Sequence, residues 1–574
     1  MDHKEVAGIF REIAEILELK GENVFRIRAY ERAADSIESL GEDLERLAKE
    51  DKLNSVPGIG VDLSKKIKEI ISTGKLSYHD ELKNSIPAGL LQILKVPGLG
   101  PKTVKFFYDK LNIDSIEKLE EAASSGRLRQ LEGIREKTES NILRGIRLLR
   151  EGTERTPLYF ALDIADKFIA GLKKIKEVEK IEAAGSLRRR KETVRDLDIL
   201  VSSKNSDKVM DVFVNLPLVS DVIAKGVTKS SVIASDNIQV DLRVVEKKNF
   251  ASALLYFTGS KEFNIKLRQL AIKMGYKINE YGVFPAKGRD KDKPLSGSSE
   301  KSIFALLKME YIPPELREDR GEIETAKNRS LPKLIELKDI KGDLHVHSEY
   351  SDGHGSIAEI AKTAKEFGYE YIGISDHSQS LKVAGGLSVE QLYEKIKEVK
   401  KVNKEMKGFR VFCGAEVDIL KDGSLDYPDS VLKELDYVIA AIHSGFKQSK
   451  EQLTKRIVSA CKNKYVNIIA HPTGVLWGHR DPYEIDLDQV YKAALDYKVA
   501  LEINCHTQRL DLDGAKSLAA KRKGVKLFLG TDSHEPATMK FMSLGVSVGR
   551  RGWLEKKDVL NCLGKADLIK WLKK

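Results

Sequence analysis

Cysteine is scarce. The 574-residue chain has four, Cys413, Cys461, Cys505 and Cys562, and no Cys-x-x-Cys pair. That spacing excludes a disulfide framework and a thiolate zinc site, and it makes a reducing cytoplasm the expected home. Proline is sparse at 15 residues, and hydrophobic residues make up 41% against 32% charged, which excludes collagen-like and disordered chains. No uncharged apolar run approaches the roughly 18 residues of a spanning helix, so no membrane partner is expected. The opening MDHKEVAGIF is charged where a secretory signal would be apolar. A concentrated charge of one sign is also missing. The net charge is +11, yet residues 1–150 hold 26 basic and 26 acidic side chains, so charge alone does not argue for nucleic acid. Histidine is nearly absent from the first 340 residues, which have only His3 and His79, whereas nine of the eleven lie between His345 and His534. At about 150 residues per domain the length predicts about four domains. The histidine distribution predicts two chemically different halves.

What is present begins with helices. Val6, Ile9, Phe10, Ile13, Ile16 and Leu17 recur at helical spacing. Val56-Pro57-Gly58-Ile59-Gly60 then returns as Val96-Pro97-Gly98-Leu99-Gly100, with a weaker third copy at Leu131-Glu132-Gly133-Ile134, each before an amphipathic helix. Glycines let backbone approach a phosphate, and the free N–H groups of a first helical turn point at it. Gly58, Gly60, Gly98 and Gly100 are therefore candidate contacts to a DNA backbone, read without regard to sequence.

From about residue 155 strand-like runs alternate with helices. In Arg195-Asp196-Leu197-Asp198-Ile199-Leu200 the two aspartates project from one strand face. Side by side, such carboxylates repel unless a cation intervenes. Asp241, in Gln239-Val240-Asp241, is the third candidate. Three carboxylates can hold two magnesium ions about 4 Å apart, one activating a hydroxyl and one supporting a leaving pyrophosphate. Gly185 and Ser186, just upstream, offer N–H and hydroxyl donors to a triphosphate. Residues 315–341 hold 14 charged side chains in 27 positions and read as an exposed, partly helical connector.

After Gly342 seven apolar runs recur: GDLHVHS, YIGISDHS, RVFCGAE, YVIAAIHS, VNIIAHP, ALEINCH and KLFLGTDSH. Strands alternating with helices imply a parallel sheet, and seven of them imply a barrel one unit short of the eight-stranded form. Each run except ALEINCH carries candidate ligands at or just beyond its end: His345, His347, Asp352, His377, Glu416, His443, His471, Asp532 and His534. Strand ends of a parallel barrel meet at one rim, so nine nitrogen and oxygen ligands converge there, enough for two or three metal ions. Arg480 and Lys447 are candidate phosphate clamps.

Two resemblances follow from these motifs. The paired turns resemble the helix-hairpin-helix motif of DNA repair proteins. Gly-Ser, the aspartate triad and Tyr256-Phe257-Thr258-Gly259-Ser260 with Asn264 and Arg268 resemble family X DNA polymerases over about residues 1–320. That resemblance implies magnesium or manganese on Asp196, Asp198 and Asp241, and Ser186 and Arg189 on the incoming nucleotide's phosphates. It also implies Tyr256 and Phe257 against its sugar beside Gly259, and Asn264 and Arg268 in the minor groove. Family members often have Arg where this chain has Gln239, so Asp241 is expected to lose a cationic neighbour. Lys66 aligns best with a lysine that forms a Schiff base with an abasic sugar in some relatives.

Residues 343–574 resemble the PHP domain (polymerase and histidinol phosphatase), which implies phosphate-ester hydrolysis with zinc, manganese or iron ions. Together the halves resemble bacterial and archaeal family X polymerases with a PHP tail. The expected architecture is multidomain α+β and α/β. It comprises a helical lyase-like domain at 1–85 and a second helix-hairpin-helix region at 86–150. A nucleotidyltransferase palm at 151–245 and a thumb at 246–315 follow, then a linker at 316–342 and a TIM-like (β/α)7 PHP barrel at 343–574. The expected function is a monomeric repair polymerase, acting in base excision repair, that fills short gaps in gapped or nicked DNA from dNTPs. Its tail would act as a 3′-5′ exonuclease and cut some abasic sites. The alternative is a PHP phosphatase whose first half only anchors DNA.

Overall fold

The structure, a computed structural model, describes residues 3–38, 44–56, 58–94, 96, 99–150, 155–287, 294–295 and 299–573. Gly98, a candidate DNA contact, lies outside them. The chain forms two compact units, Met1–Glu154 and Arg155–Lys574. Among the described residues no helix is long and apolar enough to cross a membrane.

The described secondary structure of the first unit is helical. Helix His3–Lys20 buries Val6, Phe10, Ile13, Ile16 and Leu17 on one face, as their spacing predicts. Burying each such side chain favours folding by about 1.5–3 kcal/mol. The repeated turns share one hydrogen bond: Ile59 N–H donates to Val56 O and Leu99 N–H to Val96 O, both at 3.1 Å. The third copy has it too, from Ile134 N–H to Leu131 O at 3.1 Å. Gly60 and Gly100 are the N-caps of helices Val61–Thr73 and Pro101–Leu111, and no side chain caps either helix. Their first-turn N–H groups are therefore available to an outside acceptor.

The second unit starts with a five-stranded sheet in the spatial order Val178–Ala183, Asp196–Ser203, Gln239–Val245, Lys229–Ala234 and Val219–Lys225. The two aspartate-bearing strands run parallel with Asp198 opposite Asp241. Leu197, Ile199 and Val201 point the other way, into a core with Phe168 and Phe213. Helices Phe250–Thr258, Lys261–Lys273 and Glu300–Leu306, with a small hairpin, complete a second lobe.

Residues 316–342 are not the exposed connector that their charge suggests. Arg317 and Glu322 are fully buried, and Leu316, Ile323, Ala326, Ile335 and Ile340 join apolar cores. The charges are tolerated because they are paired. Arg317 Nη1 lies 2.6 Å from Glu300 Oε1, and Glu322 accepts the N–H groups of Asp319 and Arg320.

The remainder is a parallel sheet of seven strands in chain order: Gly342–Asp343, Tyr371–Ile374, Arg410–Asp418, Tyr437–Ala441, Val466–Ile469, Ala500–Asn504 and Leu527–Gly530. The first and last are tied beyond their ends, where Asp532 N–H donates to His345 O and His347 N–H to Ser533 O, both at 2.9 Å. The sheet thereby becomes a nearly closed barrel, and residues following the strands gather at one rim.

Candidate active sites

On the five-stranded sheet, alternation places Asp196 and Asp198 on one face, and register brings Asp241 beside Asp198. Gly185 opens the turn above them at φ +58°. A Cβ there would lie 2.2 Å from Asp198 Oδ2, so only glycine fits. Burial, then repulsion from Asp196 and Asp241, pushes the Asp198 carboxyl up to about 7. Burial and Asp241 also raise Asp196. Carboxylates so arranged call for a cation to ionise together. Asp241 behaves differently. Burial raises it, but hydrogen bonds from Lys229, Gln239 and Ser231 outweigh that and hold it below the usual carboxylate range.

That is a correction to the sequence reading, in which Gln239 left Asp241 without a cation. Lys229 Nζ, from the adjacent strand, lies 2.6 Å from Asp241 Oδ2, while Gln239 Nε2 donates to Oδ1 at 2.8 Å. The cation arrives across the sheet rather than two residues upstream. Among the described residues, the three aspartates are not one of the groups whose ligand atoms converge within 4.8 Å. Lys229 is 41% exposed, and a pair with one exposed partner is worth ~0.2–1 kcal/mol. Lys229→Met is expected to tighten divalent-cation binding at the aspartates by about two- to fivefold, as read in a titration of the protein with manganese.

The helix Phe250–Thr258 carries Tyr256 and Phe257, whose rings meet edge-to-face at 5.1 Å; the Arg243 guanidinium lies 4.3 Å from the Phe257 ring centre. Asn264 Nδ2 donates to Tyr256 O at 2.6 Å, and Arg268 Nε to Asn264 O at 3.3 Å, so these four residues form one patch. Arg189, expected on the nucleotide's phosphates, is buried. Its Nε lies 3.0 Å from Glu318 Oε1 and its Nη1 donates to Thr258 O at 2.6 Å. A Cβ on Gly259 would sit 3.1 Å from the same Nη1. Ser186, one turn away, stays partly exposed. In the first unit, Lys66 Nζ lies 2.5 Å from Asp62 Oδ2 and 5.3 Å from the centre of the Tyr78 ring, which Arg26 also faces at 5.5 Å.

The barrel rim brings the nine predicted ligands together. Three groups have ligand atoms all within 4.8 Å of one another: His347, Asp352, His377 and His534; His345, His347 and Asp532; and His377, Glu416 and His443. His471 joins through Nε2, 3.0 Å from Glu416 Oε1. Glu416 is the hub, with Oε2 at 2.9 Å from His377 Nδ1 and 3.5 Å from His345 Nε2, and Oε1 at 3.4 Å from His443 Nε2. Asp352 and His534 are each 35% exposed and form the mouth. Two of the ligands, His471 (φ +25°) and Asp532 (φ +54°), sit in left-handed backbone, a strain that aims loop side chains inward.

Whether these residues suit metal ions is tested by their unsatisfied atoms. His345 Nε2, both ring nitrogens of His347, His377 Nδ1 and His471 Nδ1 are buried without a hydrogen bond, although His377 Nδ1 approaches a carboxylate closely. Buried polar atoms rarely go unpaired. Burial, then the neighbouring His377 and Arg509 respectively, pushes His347 down to about 4 and His471 to about 3, which leaves those two imidazoles neutral with free lone pairs. Glu416 and Asp532 are held well below the usual carboxylate range despite burial, chiefly by His443 and His345 respectively. Burial lowers His345, His443 and His534 as well, but the carboxylates they face outweigh it and raise all three, His443 and His534 to about 9. Carboxylates and imidazoles packed this closely, with ring nitrogens left unpaired, fit a multimetal centre.

The supporting residues escaped the sequence reading. Glu502, fully buried in the strand Ala500–Asn504, lies 2.6 Å from His345 Nδ1 and accepts the His471 N–H at 2.7 Å. Asp418, on the same strand face as Glu416, lies 2.5 Å from His443 Nδ1. Both fix a ring by its outer nitrogen and leave Nε2 facing inward. Their signal was readable: a carboxylate inside an apolar run, and a second one two residues after a ligand. Asp376 holds the Ser348 N–H and hydroxyl and pairs with the buried Lys395 at 2.8 Å, anchoring the loop after His347. Arg509 Nε lies 3.5 Å from Asp532 Oδ2. Arg480 is committed elsewhere, over the Phe446 ring at 4.0 Å and to Gly474 O at 2.7 Å.

Comparison with known proteins agrees with this geometry along the chain. Family models match for a helix-hairpin-helix domain at residues 1–76, a SAM-like helix-hairpin-helix tandem at 90–148, the DNA polymerase beta thumb at 253–318 and the PHP domain at 343–506. The chain is 41% identical over 577 residues, covering 100% of both sequences, to a Bacillus subtilis protein described as "DNA polymerase/3'-5' exonuclease PolX". Over 204 residues, 33% of this chain and 78% of the relative, it is 33% identical to a "probable phosphatase" of Thermoanaerobacter sp.. A second "probable phosphatase", from Clostridium acetobutylicum, is 32% identical over 203 residues, with 33% and 78% covered.

Proposed function

The chain belongs to the PolX family of DNA polymerase/3′-5′ exonucleases, and on that premise we propose that it repairs DNA by filling short gaps with its five-stranded palm and clearing 3′ ends with its barrel. Its substrates are DNA and dNTPs. The gapped-DNA repair role, cutting at abasic sites, the residue roles below, magnesium or manganese at the palm, zinc, manganese or iron at the rim, and a monomeric state belong to this reading. The observation that carries it is the presence, in one chain, of two cation-seeking clusters built differently: aspartates on an open sheet, and a buried mixture of imidazoles and carboxylates.

Divalent ions held at these two places would supply charge neutralisation for phosphate and a more acidic hydroxyl or water. The chain's residues do the rest. Asp196, Asp198 and Asp241 supply the palm's ligands, with Lys229 balancing the third. The 185–186 turn offers donors to a triphosphate, and Tyr256, Phe257, Asn264 and Arg268 bear on the sugar and the nascent pair. Glu502 and Asp418 lock His345 and His443 with their inner nitrogens free. The turns at Gly58, Gly60 and Gly100 hold backbone phosphates through N–H groups. Beside the Tyr78 ring, Lys66 and Arg26 form a cationic and aromatic patch suited to an abasic sugar phosphate.

The test uses a one-nucleotide gap whose primer ends in a mismatch. Purified protein with its native metals is expected to remove the mismatched nucleotide and then insert the complementary one. Insertion without prior removal would defeat the coupled role. On a gap with a 5′ deoxyribose phosphate, borohydride is expected to trap a covalent adduct that Lys66→Ala abolishes. An undiminished adduct in that variant would remove Lys66 from the reading.

A further inference from the structure

The second unit contains an ion-pair cluster that neither the palm chemistry nor the barrel chemistry accounts for. Arg551 ends the helix Met542–Arg551, which packs on the barrel. Its side chain is 1% exposed, and among the described residues no barrel carboxylate pairs with it. It reaches into the other lobes. Nε lies 3.2 Å from Glu192 Oε1, and Nη1 lies 2.9 Å from Glu318 Oε1 and donates to Arg189 O at 2.7 Å. Glu192 and Arg189 belong to the turn that begins at Gly185 and leads into the aspartate strand. Glu318 Oε1 is shared, since Arg189 Nε approaches it at 3.0 Å from the palm side. Glu192 is held a second time from the barrel, by the Gly514 N–H at 2.8 Å.

From this geometry we propose that Arg551, carried by the barrel, is a positioning residue for nucleotide addition, holding the 185–192 turn of the palm at the height where it meets the incoming triphosphate. The inference rests on the assignment of that turn to the triphosphate. The physical case is the fork of one guanidinium. It serves two carboxylates from different lobes and a main-chain carbonyl at once through a planar group of fixed donor directions, which an ammonium, a point charge on a flexible stem, does not reproduce. Neutralising Glu318 from the barrel side also limits how strongly that carboxylate draws Arg189 away from the site. Burial raises the Glu318 carboxyl, but Arg551, Arg189 and Lys191 outweigh that and hold it down to about 2. Without Arg551, Glu318 would have Arg189 as its remaining close partner, and the Arg189 carbonyl would lose its donor. A buried group so deprived reorganises its surroundings. The turn therefore shifts while the barrel rim, built from other strand ends, does not.

The test measures single-nucleotide insertion into a gap, 3′-5′ hydrolysis of single-stranded DNA and the melting temperature of the full chain. The proteins are wild type, Arg551→Met, Arg551→Lys, Glu192→Gln and Ser186→Ala. Arg551→Met is expected to raise the dNTP KM by roughly ten- to hundredfold, the scale of a misplaced binding group, with kcat and hydrolysis little changed. Arg551→Lys recovers part of the loss, and Glu192→Gln shows a smaller rise in KM. A KM unchanged in Arg551→Met or, should that variant not fold, in Glu192→Gln overturns the proposal. So does a parallel fall of insertion, hydrolysis and melting temperature, the mark of an arginine that only stabilises. Ser186→Ala separates the two levels. If it raises KM while the Arg551 and Glu192 variants do not, the inference fails and the triphosphate turn stands. If it leaves KM unchanged, the assignment of the turn fails instead.

Discussion

Replacing Asp196 and Asp198 together by alanine reduces primer extension by at least about a thousandfold, a loss of roughly 4 kcal/mol in transition-state stabilisation, and leaves 3′-5′ hydrolysis intact. The two carboxylates share one strand face, and Asp198 sits opposite Asp241 with the Gly185 backbone against it. The more conservative Asp198→Asn tests the same point without changing shape. Burial already pushes the Asp198 carboxyl up to about 7, so its negative charge depends on a cation, and a neutral amide removes the reason for one to bind. Extension by either variant within tenfold of wild type would mean that the palm aspartates do not carry the reaction.

The converse result is expected at the rim. His345→Ala/His347→Ala removes two ligands that between them face Glu416, Asp532 and Asp352. Hydrolysis of 3′ ends should fall by more than about a thousandfold, while gap filling on a clean primer continues. The same variant should contain less metal by elemental analysis, a readout independent of activity. Glu502→Gln keeps the volume but weakens the grip on His345 Nδ1. Loss of such a supporting partner costs about ten- to a hundredfold in metal affinity or activity. Full metal content in the double variant, or unimpaired hydrolysis, would place the exonuclease elsewhere in the chain.

Much of this was legible in the order of the residues. The seven apolar runs after Gly342 are the seven barrel strands, and the candidate ligands stand at or just beyond strand ends because a parallel barrel turns every strand end toward one rim. The turns before Gly60 and Gly100 were visible because the apolar-Pro-Gly-apolar-Gly pattern occurs twice, each time before an amphipathic helix, and they share one hydrogen bond. Asp196 and Asp198 needed only the two-residue period of a strand.

The errors share one cause. Charge density at 316–342 suggested exposure, but a charge is buried when a partner reaches it, and the partners of Arg317 and Glu318 are Glu300, Arg189 and Arg551. Gln239 suggested a missing cation, which Lys229 supplies from the neighbouring strand. The contacts of Arg189, whose guanidinium is engaged by Glu318 and the Thr258 carbonyl, are equally invisible in the order of the residues.

Periodicity and strand-end placement depend on neighbours a few residues apart, so the amino-acid order by itself determined the elements, the barrel and the identity of its nine candidate ligands. Ion pairs such as Arg551 with Glu192 join residues hundreds of positions apart, and their formation depends on distance and burial in space. Only the tertiary structure decided which cation answers Asp241, why the charged segment is interior, and how the barrel reaches the turn beside the palm.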